Sequence, residues 1–583
     1  VDLDRISGLK EQGLVMPPNP TPVFDDEVDL LVIGAGAAGM TATLVATIEG
    51  LRTMLCEKTG MVGGTTSTSA GTVWIPGSNQ SVKAGIPDSV ADAKTYLEAV
   101  VGLAGNNEQR AAFLESGPKV LDYLEAKTCV RFVPAAAHPD YKKEPGAAYG
   151  GRALGAEPFD GRRLGADFAR VRPPRPEFLV LGGMMVGKSD IPVLLAPFGS
   201  LKNFMHAARL LARQAMDRLR YPRGTRLIMG NALVARLLYS LRRHGVPVIF
   251  KTALRDLILE DGRITGATLA GPQGSRTIRA RQGVVLATGG IAWNSELRAK
   301  LFPRSAQEYS LSPESNTADG ISAALRSGAA LDDDLQSPAL WMPSSVLRRP
   351  DGTASVFPHI MLDRAKPGLI AVNGAGRRFV NEADSYHDFV AAQLRSDQTV
   401  PSVPAHLICD RSFVRDYGIG LVHPRTRDLK PFVRAGYLKQ ADTIEVLAQQ
   451  IGVDATALKE TIANHNRFAA SGMDEEFGRG SSDFNRFNGD PANKPNPCMR
   501  EIGPGPYFAV AIWPADLASS AGLQTDLDAR VLDLNRRPIE GLYAIGADAA
   551  SIFRGSYPGP GTMIGPALVF GWRAAMHAAG KLK

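Results

Sequence analysis

Three features of the 583-residue sequence predict an α/β protein built on a Rossmann-like nucleotide-binding domain, discontinuous along the chain and interrupted by an inserted α+β domain. Near the start, Val28–Lys58 (VDLLVIGAGAAGMTATLVATIEGLRTMLCEK) reads as strand, glycine turn, helix, strand and acid. Two later apolar runs, Gly283–Gly290 (GVVLATGG) and Gly541–Asp548 (GLYAIGAD), read as buried strands ending in glycines or a carboxylate. Between them, residues from about 341 to 510 mix apolar stretches, proline-rich turns and a helical run at Thr443–Ala470.

Each element has a physical reason. Residues 1–24 carry scattered charges and a proline-rich tract (Met16–Pro22) without the apolar core of a signal peptide, which predicts an N-terminal arm. Val28–Ile33 is nearly continuous in apolar residues, as a strand buried on both faces requires. In the following G-x-G-x-x-G, Gly34 permits the tight bend, Gly36 lets backbone N–H groups approach a pyrophosphate, and Gly39 lets the helix pack close to the strand. Glu57 ends the second strand, about 20 residues on, where a carboxylate accepts ribose hydroxyls. The cluster Val62–Gly71 adds a second set of glycines and hydroxyls that a nicotinamide-binding domain does not need and a larger, permanently held cofactor would use. The nucleotide-binding domain is expected at 25–340 and again at 511–583, where the last strand and helix (Leu542–Ala579) return, with the catalytic or substrate domain at 341–510. Gly478–Pro497, rich in Asn, Ser, Asp and Pro, predicts a surface loop.

Composition narrows the class. The length exceeds a single hydrophobic core, and 44% hydrophobic residues with no apolar run of about 18 residues exclude an integral membrane protein. Cys56, Cys129, Cys409 and Cys498 are widely spaced, so neither a zinc site nor a disulfide framework is indicated and a reducing cytoplasm fits. The net charge of +7 comes with no nucleic-acid motif. Much of the excess is local: Leu201–Arg220 reads as a basic amphipathic helix, preceded by the apolar stretches Phe178–Val186 and Ile191–Phe198. Such a segment (about 178–220) either lies on an anionic membrane surface or packs on the core or another subunit.

The strand and glycine elements resemble the FAD-binding parts of the large flavoprotein family that contains fumarate reductases and 3-ketosteroid dehydrogenases, from about residue 25 to the C-terminus. The resemblance implies FAD. By it, Gly34, Gly36, Gly39, Glu57, Gly64, Thr65, Ala70, Gly71, Gly289 and Asp548 line the flavin site. Ala37, Ala38, Lys58, Gly63, Thr66, Ser69, Ala287, Thr288, Gly290, Asp319, Gly546, Gly561 and Ile564 complete the expected cofactor-binding set, Asp319 through Ala318-Asp319-Gly320, which resembles the family's D-G-I element.

A flavin accepts electrons from many donors, so the reaction is read from the groups placed over it. Gly376–Tyr386 (GRRFVNEADSY) resembles the family's G-x-R-F-x-N-E element, after which fumarate reductases carry an arginine that protonates a dicarboxylate. Here that position is Tyr386, where ketosteroid dehydrogenases have a tyrosine base. Gly555–Ala567 (GSYPGPGTMIGPA) has Tyr557 where fumarate reductases place another arginine. A buried dicarboxylate without cations is costly. The run Tyr-Pro-Gly-Pro-Gly is instead close to the ketosteroid dehydrogenase pattern, which implies that the Tyr557 hydroxyl and the Gly561 N–H hold a carbonyl oxygen. Two donors on one oxygen form an oxyanion hole worth on the order of a few kcal/mol per donor. His138–Gly146 resembles the family's P-D-Y segment and gives Tyr141 a supporting role, with Tyr149 as an alternative. His387 is set behind Tyr386, His577 is read as structural, and no Ser/His/Asp arrangement or metal-ligand spacing competes.

The resemblance therefore implies a 3-ketosteroid Δ1-dehydrogenase acting on a steroid or sterol-like substrate: Tyr557 and Gly561 polarise the ring ketone, Tyr386 removes a proton from the adjacent carbon, and the flavin takes the hydride from the next one. Tyr386 has to ionise although a free phenol titrates near ~10, and a hydrogen bond from Tyr141 is expected to favour the phenolate. A Δ4-(5α)-dehydrogenase, an enone or enoate reductase and a non-enzymatic flavin scaffold remain open, and no motif identifies the electron acceptor.

Overall fold

The computed structural model describes residues 24–103, 105–180, 183–187, 190–360 and 363–582; the expected arm at 1–24 lies outside them except for Phe24. The nucleotide-binding sheet has eight strands. Val248–Phe250, Thr53–Glu57, Asp26–Ile33 and Gly274–Leu286 run parallel in that order, and Pro538–Ala544 joins the last of them in parallel from near the end of the chain. The unbroken apolar run of the first strand has its cause in two cores: Leu30 and Val32 point into one and Leu31 and Ile33 into the other. The strand Gly274–Leu286 forks. Its first half pairs antiparallel with Arg263–Gly271 and its second half parallel with Pro538–Ala544. Gly283 sits at the fork with φ +129°, where a Cβ would lie 2.3 Å from the Gly541 carbonyl oxygen. On one face the helix Ile564–Ala578 packs on Ala37–Ile48. Gly571 brings them close: a side chain there would meet the Ala38 carbonyl at 3.0 Å.

A second, seven-stranded sheet has the order Ala354–Pro358, Ala339–Arg348, Tyr507–Ser519, Ala405–Asp410, Leu369–Val372, with Tyr309–Ser310 and Lys439–Ala441 added to the central strand. That strand runs unbroken from Tyr507 to Ser519, so the expected boundary at 510/511 falls inside it. The predicted helical run at 443–470 is two helices, Ile444–Ile451 and Ala455–Ser471, divided where Gly452 turns left-handed at φ +71°. The predicted surface loop at 478–497 is corrected: it contains the short helix Asp483–Asn488, whose Phe484 is buried against Tyr141 and whose Asn485 is fully buried. Its buried polar residues are satisfied by the protein interior, as Asn485 is in bonding Asn381 and Asp384, while Ser481, Asp483, Arg486 and Lys494 face water.

The segment at 201–220 forms the helix Leu201–Arg218, held to the body by Ala207, Leu210, Gln214 and Asp217. Apart from Ala207 and Leu210, its larger apolar residues face outward: Leu201, Phe204, Met205, Leu211, Met216 and Leu219 are all exposed, as is Phe198 before it. Packing of that apolar stripe on the protein's own core is therefore not what the fold uses. Among the described residues no helix is long and apolar enough to cross a membrane.

Candidate active site

A cleft opens where the parallel strands end and the second sheet begins, enclosing about 1880 Å3 of empty space, part of it open to solvent. The glycines of the first turn divide the work. A Cβ on Gly34 would lie 2.2 Å from the Ala287 carbonyl oxygen and one on Gly39 1.9 Å from that of Gly34, so both serve close packing. Gly36 has nothing within 4 Å of its missing side chain; its backbone faces the open cleft. The helix Ala37–Ile48 begins there with no side-chain cap and no acid in its first turn. Its first N–H, on Ala37, reaches the Thr66 hydroxyl at 3.3 Å, and the next ones with the positive dipole end form an anion site of the kind a pyrophosphate fills.

Ala37, Ala38, Glu57, Lys58, Gly64, Thr65, Thr66, Ser69, Ala70, Gly71, Ala287, Thr288, Gly289, Asp319, Gly546, Gly561 and Ile564 also border the cleft. The Glu57 carboxylate is fixed by the N–H groups of Ala35 (3.0 Å) and Thr59 (2.8 Å), with lone pairs remaining for ribose hydroxyls. Lys58 bridges Asp319 at 2.8 Å and the Thr317 hydroxyl at 2.6 Å. Four expected residues stand behind the lining instead. Gly39 and Gly63 are packing glycines, the latter at φ +112° against Ser67. Asp548, fully buried, accepts the N–H groups of Thr288 (2.5 Å) and Gly290 (2.9 Å) and the Thr288 hydroxyl (2.8 Å). It and Gly290 thus shape the strand-end loop that borders the cleft, and burial pushes the Asp548 carboxyl up.

The second half of the cleft gathers three tyrosines that are far apart in sequence. The Tyr141 and Tyr386 hydroxyls are 3.1 Å apart. Tyr141 stacks on Tyr557 (centroids 5.5 Å, 10° between planes), and Tyr557 meets Tyr386 edge-on at 5.3 Å. All three are buried in one apolar cluster with Leu311, Met342 and Phe484, and all three border the cleft. Gly561 borders it too, at φ +101°, where a side chain would strike the Thr72 carbonyl at 2.6 Å. Tyr149 is largely exposed and is not part of the cluster. The Tyr141 hydroxyl stands at hydrogen-bond distance from Tyr386, as its supporting role requires, while burial pushes the Tyr386 hydroxyl well above its ordinary value. Burial likewise raises Tyr141 and Tyr557.

The family motifs turn out to be the scaffolding of these hydroxyls. Tyr386 opens the helix Tyr386–Ser396, capped by the Ser385 hydroxyl on the Asp388 N–H at 3.1 Å. The loop before it is locked by Glu382, which accepts Arg378 (2.8 Å), Arg479 (3.1 Å) and the Ala371 N–H (3.0 Å) in a buried network. Tyr141 and Tyr557 are tied together through Pro558, whose carbonyl accepts the Tyr141 N–H (2.9 Å) and the Tyr96 hydroxyl (2.6 Å). Asp140 anchors the same loop on Trp74 (2.8 Å) and Arg152 (2.6 Å). His387 accepts the Trp341 N–H at 3.2 Å and burial lowers it to about 4, so it stays neutral beside Tyr557. His577 bonds Tyr543 at 2.9 Å, away from the cleft.

The structure adds what the sequence did not offer. Asn316, joined to Thr65 at 3.2 Å, borders the nucleotide half, while Arg175, Leu311, Met342, Pro358 and Ile360 line the half with the tyrosines. No motif marks them, because they come from four separate segments. A Ser/His/Asp array also exists, against expectation: His359 lies 2.7 Å from the Ser345 hydroxyl and 2.6 Å from Asp363. It is buried, the Tyr437 hydroxyl occupies Ser345 at 2.7 Å, and none of its members borders the cleft. It fixes the turn that carries Pro358 and Ile360 and is structural. Among the described residues no cluster could hold a metal ion.

A pyrophosphate-sized anion site on a parallel sheet, opening onto three buried tyrosines carried by two loops and the start of a helix, defines a flavin-dependent oxidoreductase. The FAD binding domain family matches residues 29–564, and the chain belongs to it and binds FAD. It is 38% identical to the 4-oxocyclohex-2-ene-1-carboxylate 5-dehydrogenase of Sinomonas cyclohexanicum, over 94% of this chain and 93% of that protein. To the 3-oxosteroid 1-dehydrogenase of Mycobacterium tuberculosis it is 36% identical, over 95% of this chain and 98% of that protein. Among solved structures, 3-ketosteroid delta1-dehydrogenase from Sterolibacterium denitrificans, in complex with 1,4-androstadiene-3,17-dione, is similar with a TM-score of 0.88 at 36% identity, covering 96% of this chain and 100% of that one.

Proposed function

We propose that this chain is a 3-ketosteroid Δ1-dehydrogenase, which converts the CH–CH bond beside a ring ketone into a conjugated enone. The observation that carries the reading is the tyrosine cluster: three converging hydroxyls in an apolar wall, beside a glycine whose N–H has no partner among the described residues. Bound with its pyrophosphate at Gly36–Ala38 and a ribose at Glu57, FAD would supply the two-electron acceptor. The chain's own residues do the rest. Tyr557 and the Gly561 N–H hold the ketone oxygen and stabilise the enolate. Tyr386, once ionised, takes the proton from the neighbouring carbon, and its own proton has a path to the Tyr141 hydroxyl at 3.1 Å. In the expected domain division Tyr386 belongs to 341–510 and Tyr141 and Tyr557 to the nucleotide-binding part, so the site is complete only at their junction.

Arg175 in the cleft wall favours a second reading, an oxocyclohexane carboxylate as substrate, in keeping with the name of the Sinomonas relative. The test of the main reading is anaerobic bleaching of the flavin by androst-4-ene-3,17-dione with formation of the 1,4-diene. Reoxidation of the dye-reduced enzyme by fumarate, with no bleaching by any ketosteroid, would overturn it.

We also propose that the enzyme works at a membrane surface inside a reducing compartment. The outward apolar residues of Leu201–Arg218 are interspersed with Lys202, Arg209, Arg213 and Arg218, the composition of a helix that lies on anionic lipid, where apolar steroids dissolve. The free cysteines Cys56, Cys129, Cys409 and Cys498 fit that compartment.

A further inference from the structure

Among the described residues, the wall beside the tyrosines carries a single arginine or lysine. Three such side chains border the cleft: Lys58, Arg172 and Arg175. Lys58 is paired with Asp319, and Arg172 reaches the Thr59 hydroxyl at 3.4 Å beside Glu57, so both belong to the nucleotide end. Arg175 belongs to the other end. It donates to the carbonyls of Val356 (2.6 Å) and Leu311 (3.3 Å), and these two residues pack in the apolar cluster that contains Tyr141, Tyr386 and Tyr557.

Arg175 does not face the cleft as an unbalanced cation. Its Nε lies 3.4 Å from the Glu177 carboxylate, and both side chains are largely buried, 18% and 6% exposed. Neither Arg175 Nε nor Glu177 Oε2 has a well-formed hydrogen bond, so their attraction is chiefly coulombic. A guanidinium has five N–H donors; two go to carbonyls and the Nε–H, 3.4 Å from Glu177, makes no well-formed bond, so the remaining N–H groups can bind a neutral carbonyl or hydroxyl oxygen. A substrate carboxylate in the same place would meet Glu177 across a poorly solvated wall, where like charges repel strongly.

We infer that the Arg175–Glu177 pair is a specificity device that admits neutral ring ketones and rejects ketones bearing a carboxylate. The inference rests on the ketone-dehydrogenase reading of the site and decides between its two substrate classes. Neither residue touches the reacting carbons, so both act on selection and not on the chemical step.

The test uses the FAD-loaded enzyme and two substrates that share the ring ketone and differ in charge, 3-oxoandrost-4-ene-17β-carboxylate and its methyl ester, with androst-4-ene-3,17-dione as reference. In the unaltered enzyme kcat/KM for the ester exceeds that for the acid at least tenfold. Glu177→Gln shrinks the ratio at least tenfold by leaving the cation unopposed, and Arg175→Met widens it. A merely structural role would lower both substrates together and leave the ratio in place, and bound FAD per chain reports folding. Equal use of acid and ester, rejection of the ester, or a ratio that moves the same way in both variants would overturn the inference while turnover of the dione stands. Failure of the dione itself would remove the ketone reading and this inference with it.

Discussion

Taking one hydroxyl away from Tyr557 separates its chemistry from its packing. Tyr557→Phe keeps a ring that stacks on Tyr141 at 5.5 Å and lies against Tyr386 at 5.3 Å and His387 at 6.0 Å. The apolar contacts survive, and loss of the hydroxyl costs about 1 kcal/mol of stability. The Gly561 N–H is then the one remaining donor to the ketone oxygen. Loss of an oxyanion donor costs roughly 10²–10³ in kcat, about 2.7–4 kcal/mol, several times the stability effect. The assay is anaerobic stopped-flow reduction of the flavin at saturating ketone from neutral to strongly alkaline pH, with thermal unfolding of the holoenzyme in parallel. A rate within a few-fold of the unaltered enzyme would refute the donor role.

The base assignment predicts that Tyr386→Phe retains FAD but slows flavin reduction by about 10²–10⁴, measured by the same stopped flow. Because the base works only when ionised and burial raises it, log kcat/KM of the unaltered enzyme climbs with pH by one proton and reaches no plateau below about 10; a plateau at neutral pH counts against Tyr386. Gly36→Val fills open cleft and is expected to yield folded protein with little bound FAD, whereas Gly39→Ala, with its methyl 1.9 Å from the Gly34 carbonyl oxygen, lowers the unfolding temperature itself; flavin absorbance per chain and calorimetry tell the two apart. Paired Met205→Asp and Met216→Asp substitutions on the outward face are expected to abolish cosedimentation with anionic vesicles while turnover of detergent-solubilised androst-4-ene-3,17-dione stays unchanged.

The nucleotide half of the site was legible because its signals are local. Gly34, Gly36, Gly39 and Glu57 fall within one strand-turn-helix-strand unit, and each glycine has a backbone reason that a single stretch of sequence contains. Asp548 was read in the right place with the wrong contact, since a strand-end acid looks the same whether it reaches a ligand or, as here, the N–H groups of a neighbouring loop. The tyrosines were found through motifs, but their mutual geometry depends on Pro558 tying one loop to another and on Glu382 locking a third, contacts between segments hundreds of residues apart. The Ser345–His359–Asp363 array shows why spacing alone misleads in both directions. Nothing in its spacing suggests a relay, its geometry matches one, and burial under Tyr437 denies it a substrate.

The same distinction bears on how the site selects its substrate. Replacing two arginines by Tyr386 and Tyr557 removes the positive charge that a dicarboxylate would need at the reacting carbons, and motif comparison sees that replacement. It does not see Arg175, whose place in the wall comes from backbone carbonyls of Leu311 and Val356 on distant segments. Nor does it see that Glu177 cancels the charge Arg175 would otherwise bring. A site can lose its family's cations at the chemistry and regain one at the periphery, so the preference between a neutral and an anionic ketone lies in this peripheral pair and not in the tyrosines. Chains sharing the tyrosine motifs are then expected to divide by substrate charge according to what stands at these two positions, and exchanging Glu177 alone is the smallest change that moves this enzyme from one group toward the other.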